Sequence, residues 1–426
     1  MKIGQFSLYM LGKEKRKAFF YTLTCIFSVM ATFLFINMIY NEALYGGLHI
    51  NNYGQANKIL PVMVSFLTTV LIVAVNFFAY NFYLNSQTKE IGIFMLGGTK
   101  SFRIFKYLFV QNLVIFGIAL VVGLPLGALL IPLTNLYMGK LSSIDIPLFN
   151  YSSTAFFATI AIMLLTLIYL AIVATGFIYR NEIKELIGMQ KEMKKKDGRM
   201  LELPATLYTV LLFMPILMII FIREPEITAV MSFVAVLGGF KGFCRYVVPK
   251  WILKLQRRYL ITHKLGLISS ANFHQLLVQG CSIMQIFLII CIFMNTYMIN
   301  NVDNPTYLAV ISVSYIMLTI SVAMAMGYKI LLETNHREIT FKHLYKLGYT
   351  KNELSQIIRQ EMLALFGFVL GILVVYIGAT YLPYVLLGKM SIWFMLWNMG
   401  IFIIALIVVG IYGYRTYQKT MLKGMR

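Results

Sequence analysis

The chain is short of charge, and above all of acidic charge. Of its 426 residues, 12% are charged and only 16 are Asp or Glu, against about 25% charged in a soluble domain. Such a chain cannot maintain a soluble surface. With 59% hydrophobic residues and a mean hydropathy of +0.77, it reads as a polytopic membrane protein. Cysteine is scarce as well. Cys25, Cys244, Cys281 and Cys291 show no CxxC spacing and fall in or beside apolar runs, which argues against a metal or dithiol centre and leaves them as packing residues. Catalytic signatures are missing. Gly97-Gly98-Thr99-Lys100-Ser101 lacks the Gly-Lys pair of a phosphate-binding loop, and neither H-E-x-x-H nor G-x-S-x-G occurs. The five His residues are scattered, so no metal site is expected. No Asp or Glu falls in the middle of an apolar run, where a carboxylate would mark an ion or proton relay. A secondary transporter is therefore disfavoured, and the energy source is expected in a partner. The formal net charge of +21 does not signal nucleic acid, because the basic residues sit in short segments flanking apolar runs.

What the chain does have is length in its apolar runs. A span needs about 20 mostly apolar residues, and ten stretches qualify or nearly qualify: Ala18–Tyr40, Leu60–Tyr83, Tyr107–Leu133, Phe156–Tyr179, Leu207–Phe221, Ile227–Val248, Ser282–Tyr297, Tyr307–Tyr328, Leu363–Leu382 and Ile392–Tyr412. The fifth and seventh are short. The first run is long enough to span and no A-x-A-like site follows it, so it is not read as a cleaved signal. With cytoplasmic termini, all of the 37 Lys and Arg except Lys58, Lys140, Arg223 and Lys389 fall on the cytoplasmic side or at that helix end. The positive-inside rule thus sets the orientation. Segment 180–199, with Lys194-Lys195-Lys196, reads as a solvated joint. Ile3–Leu11, followed by Lys13, Lys15, Arg16 and Lys17, reads as an interfacial helix on anionic head groups of the lipid bilayer. Leu265–Val278 is either an equivalent elbow or an ordinary amphipathic linker. The outer connections are short: 40–55, 139–151 and 300–305.

One stretch recurs. Lys89 to Lys106 reads KEIGIFMLGGTKSFRIFK, and Arg337 to Lys351 reads REITFKHLYKLGYTK. Leu96, Gly97, Thr99 and Lys100 match Leu347, Gly348, Thr350 and Lys351 without a gap. Lys89-Glu90-Ile91 matches Arg337-Glu338-Ile339 once about a helical turn is inserted in the second copy. Each copy lies between two apolar runs on the cytoplasmic side. The chain therefore reads as four spans, a two-span hairpin and four spans, the two four-span units having the same orientation. Gly97 and Gly348 are expected to end helices at positive φ. Gly123-x-x-x-Gly127 and Gly367-x-x-x-Gly371 fit close helix approach. The mid-span amides Asn76, Asn112, Asn295 and Asn398 either bond helices together, at about 0.6–2 kcal/mol each, or line a substrate path, for which Asn76 and Asn112 are the candidates.

KEIGIFMLGGTK with its following amphipathic stretch and span resembles the FtsX-like permease family, the membrane half of MacB-type ABC transporters. The ten-span order with such a domain near each end resembles the bacitracin-type permeases. The resemblance implies an all-α polytopic membrane protein of about ten transmembrane helices: an N-terminal unit 1–190 with its permease domain at about 58–180, a linker and central hairpin 191–263, and a C-terminal unit 264–426 with its domain at about 307–417. It implies a bacterial cell membrane location. It implies two copies of a separate cytoplasmic P-loop ATPase carrying ATP and Mg, with no cofactor or catalysis in this chain. Docking positions carried over are Lys89, Glu90, Ile91, Leu96 and Gly97, and Arg337, Glu338, Ile339, Leu347 and Gly348. The implied action is mechanotransmission: export, extraction or expulsion of a hydrophobic, amphipathic or peptide substrate, such as an antimicrobial peptide. The alternative is a non-transport regulator whose ATP-driven motion controls a membrane partner such as a sensor kinase or wall hydrolase. The chain departs from both relatives in one respect. Bacitracin-type permeases carry a large outer domain between spans seven and eight, and MacB-type proteins one between their first two spans. Neither place holds one here.

Overall fold

The computed structural model describes residues 3–13, 15–41, 56–142, 145–180, 204–221, 225–260, 264–388 and 390–423. The joint expected within 180–199 and the outer loop at 42–55 lie almost wholly outside them. Among the described residues every regular element is a helix, as a low-dielectric surrounding demands of a backbone that must satisfy its own hydrogen bonds. Nine helices among the described residues are long and apolar enough to cross a membrane. The fifth expected span is a 17-residue helix, Ala205–Phe221, with Pro215 inside it.

The chain divides into two compact units: Met1–Glu202 with Pro305–Ser314, and Leu203–Asn304 with Tyr315–Arg426. The first contains α1 (Ile3–Lys13), α2 (Lys15–Ile39), α3 (Ala56–Ser86), α4 (Thr88–Leu96), α5 (Ser101–Ser142) and α6 (Ser153–Arg180). Its centre is α2 packed on α5. Gly123 and Gly127 let the backbones close up: a β-carbon at Gly123 would lie 2.8 Å from the Ile26 carbonyl oxygen, and one at Gly127 3.0 Å from Phe33. Asn76 and Asn112 are fully buried. Ser28 donates to Asn76 Oδ1 at 2.8 Å, and Tyr21 donates to Asn112 Oδ1 at 2.9 Å. Both amides thus bond α2 to its neighbours in this state.

The second unit contains α7 (Ala205–Phe221), α8 (Pro225–Gly242), α9 (Val248–Leu255), α10 (Lys264–Asn300), most of α11 (Pro305–Lys346), α12 (Lys351–Leu386) and α13 (Ile392–Lys423). The hairpin of α7 and α8 packs into this unit, with Gln285 of α10 donating to the Leu237 carbonyl at 2.7 Å. Two π-helical stretches flank α9, Phe243–Val247 and Gln256–Leu260, so the basic segment 250–260 is helical. Asn295 and Asn398 converge on the Tyr381 hydroxyl at 2.7 and 3.1 Å. The seam of Gly123 and Gly127 is not repeated at Gly367 and Gly371, where a β-carbon would meet nothing within 4 Å.

Candidate functional site

In the first unit the repeated motif forms α4 and the turn after it. Ser86 and Thr88 turn their hydroxyls back on the carbonyls of Tyr83 and Asn85, at 2.7 and 3.1 Å. That competition with the helical ladder accompanies the break at Gln87, where α3 stops and α4 starts. At its far end α4 closes with a Schellman pattern: Gly97 N donates to Ile93 O, Gly98 N to Met95 O and Thr99 N to Phe94 O, at 3.0, 3.0 and 3.1 Å. The residue at positive φ is Gly98, at 72°, and not Gly97, at −73°. A Schellman turn needs its left-handed residue one place beyond the cap, and Gly97 is the cap.

Side chains of α4 divide by face. Ile91 is fully buried, so it does not reach an outside partner in this state. Phe94 packs inward, edge-on to Phe6 of α1 and Tyr107 of α5, at 5.6 and 5.4 Å between centroids. Ser7 donates to the Tyr107 carbonyl at 2.9 Å. The amphipathic α1 is therefore fixed to both the short helix and α5. Ile93 and Leu96, three apart on the other face, are each 63% exposed. The Lys89 side chain lies outside what the structure describes.

The second unit builds the same turn with different chemistry. Leu347 N donates to His343 O, Gly348 N to Tyr345 O and Tyr349 N to Leu344 O, at 3.0, 3.0 and 3.3 Å. Gly348 has φ 98°, as its motif predicts. One constant offset in numbering matches the two turns, pairing Gly98 with Gly348, Gln87 with Arg337 and Gln111 with Glu361. The expected ungapped match therefore shifts by one residue, placing Leu96 and Gly97 opposite Lys346 and Leu347; the helical turn expected as an insertion is absent, and Lys89-Glu90-Ile91 falls opposite Ile339-Thr340-Phe341. Here α11 runs unbroken, with His336 and Glu338 at the positions of Ser86 and Thr88. Thr350 and Glu353 form a capping box at the start of α12. Leu347 is 76% exposed, while Ile339 and Tyr345 are also exposed. Glu338 pairs with Lys342 at 2.8 Å on the surface.

Arg337 is not an entry charge facing outward. It is buried, bonds Glu361, reaches Glu333 at 3.3 Å, and donates to the Asn272 carbonyl at 3.1 Å. Tyr417 of α13 donates to Glu361 at 3.5 Å. Four helices meet on this network. The first unit places a neutral set at the matching positions: Gln87 Nε2 and Tyr83 Oη both donate to Gln111 Oε1 at 3.2 Å. Sequence reading passed over both sets. The signal available was Glu333-x-x-x-Arg337, an i,i+4 pair leading out of an apolar run, with Glu361 at the edge of another. Among the described residues no three His, Cys, Asp or Glu side chains converge to hold a metal ion.

Residues 62–182 match the model of the FtsX-like permease C-terminal family. That range runs from α3 through α6 and includes the first turn. The chain is 24% identical to the bacitracin export permease protein BceB of Halalkalibacterium halodurans over 42% of its own length and 27% of that protein. It is 27% identical to the uncharacterized ABC transporter permease YvcS of Bacillus subtilis, over 41% of its length and 27% of the relative. Against the B. subtilis bacitracin export permease protein BceB it is 24% identical over 46% and 30%. The chain thus matches less than a third of the length of these relatives.

Proposed function

From an FtsX-like permease domain at 62–182 in a multi-pass membrane chain, we propose that this is the membrane subunit of an ABC transporter. Two copies of a separate cytoplasmic P-loop ATPase, loaded with ATP and Mg, dock on the two turns. The observation that carries the reading is that both units repeat one Schellman turn and present an exposed leucine at it, Leu96 just before the cap in one and Leu347 at the cap in the other. Both turns, both termini and the segment 180–199 then lie in the cytoplasm. ATP-driven closure of the two ATPases pushes on α4 and on the end of α11. Phe94 passes the motion to α1 and α5, and the Arg337 network passes it to α10, α12 and α13. Ile91, Gln87 and Arg337 hold these elements in place, while Leu96, Ile93, Leu347 and Ile339 make the contact.

The substrate is a hydrophobic, amphipathic or peptide molecule met in the outer leaflet or at the short outer connections. Asn76 and Asn112 line its route only in a state where α2 has moved off α3 and α5. An assembled Asn112→Leu variant with unchanged substrate-stimulated ATP hydrolysis would remove that residue from the route. Purification from the native membrane tests the main reading: a P-loop ATPase should accompany the chain at two copies per chain, and a chain that purifies alone refutes it.

A second reading draws on the four-residue connection Asn301–Asn304 between α10 and α11, which leaves recognition to the bilayer or to another protein. In it the ATP-driven motion regulates a membrane partner such as a sensor kinase. ATP hydrolysis stimulated by candidate peptides in the purified complex favours transport; hydrolysis that responds only to a membrane partner favours regulation.

A further inference from the structure

The second unit contains a cavity of about 720 Å³ between the first third of α10, the start of α12 and α9. Its wall is amphipathic. Ile252, Leu255, Leu265, Phe273 and Ala364 supply an apolar side, while Ser269, Gln360, Lys264 and Glu353 supply polar groups. Ser269 donates to Gln360 at 3.0 Å, and Gln256 donates to Ser270 at 2.7 Å. The Glu353 carboxylate is already engaged by the Thr350 amide and hydroxyl at 2.7 and 2.9 Å. Lys264 lines the cavity, and along the chain Lys250, Lys254, Arg257 and Arg258 precede it with no acidic residue between them. On α9, Trp251, Leu253 and Leu255 are each at least half exposed. An exposed tryptophan on a basic amphipathic helix is the pattern of a membrane interface.

We propose that this cavity binds one anionic phospholipid. An acyl chain lies against Ile252, Leu255, Leu265 and Phe273, and the phosphate sits among Lys264, Arg257 and Arg258. Charge complementarity decides the ligand: a zwitterionic lipid offers the same acyl chain but no net charge to this cluster. Tyr349 also lines the cavity, directly after Gly348. A bound lipid therefore touches the second turn. The proposal stands independently of the ATPase reading.

Trp251 serves as the reporter. With Trp393→Phe and Trp397→Phe, it is the sole tryptophan of the chain. The protein is reconstituted in phosphatidylcholine bilayers containing an equal, low fraction of brominated phosphatidylglycerol or brominated phosphatidylcholine. The brominated anionic lipid should quench Trp251 at least about twofold more strongly, and high salt should reduce that excess. Lys264→Glu with Arg257→Glu should remove the excess, while Lys264→Arg should keep it, which separates lost charge from lost folding. Equal quenching by the two lipids in the unaltered cluster would overturn the proposal. So would an excess that survives the charge reversal, or one that millimolar inorganic phosphate abolishes, since the site would then be one for free phosphate.

Discussion

Arg337 is the residue whose role changes most between sequence and structure. Its motif position suggested a surface charge, yet it is buried among Glu333, Glu361 and Tyr417. Periodicity could not reveal this, because burial of an ion pair depends on four helices meeting, and no single helix encodes that. Removing one partner of a buried pair costs about 3–5 kcal/mol, whereas a neutral hydrogen bond is worth about 0.5–1.5 kcal/mol. Arg337→Leu should therefore destabilise the folded protein several-fold more than Gln87→Leu, read as loss of thermal stability in detergent. Equal losses would mean that the two networks carry similar weight. The glycines give a second residue-scale outcome. A side chain at positive φ costs about 1–2 kcal/mol, so Gly98→Ala and Gly348→Ala should each lower stability by about that amount. Gly97→Ala should be nearly neutral, since φ is −73° and the nearest atoms to its β-carbon lie at 3.6 Å. A costly Gly97→Ala and a silent Gly98→Ala would contradict the turn as described.

At the scale of elements, most of the helices were legible. Apolar runs of span length leave the backbone few alternatives, and nine of the described helices meet that standard. Three features were not legible. The register of the second motif copy was masked because Arg337-Glu338-Ile339 resembles Lys89-Glu90-Ile91, while the turns pair Gly98 with Gly348. The segment 250–260 is too basic to read as membrane-buried, yet it is helical because it lies amphipathically against the unit. Gly367-x-x-x-Gly371 looks like a packing seam but faces no neighbour, since small-residue spacing permits close approach without requiring it. That contrast is testable. Gly123→Leu should separate α2 from α5 and sharply reduce the yield of folded protein, because its β-carbon would already lie 2.8 Å from Val29. Gly367→Leu should be tolerated. Similar yields for the two would show that the α2–α5 seam is not as tight as described.

For the whole molecule, the proposed function has two inequivalent turns, one in each unit, each docking one ATPase. The turns share backbone hydrogen bonding but differ in what stands behind them, aromatic packing on α1 in one and a buried ion network in the other. Burial of one leucine is worth about 1.5–3 kcal/mol, which is one to two decades of affinity. The direct test is co-purification of the ATPase with folded, membrane-inserted Leu96→Asp, Leu347→Asp and the double variant. Each single change should weaken ATPase recovery, the two by unequal amounts, and the double variant should abolish it. A folded double variant that retains the ATPase at wild-type stoichiometry would contradict the account.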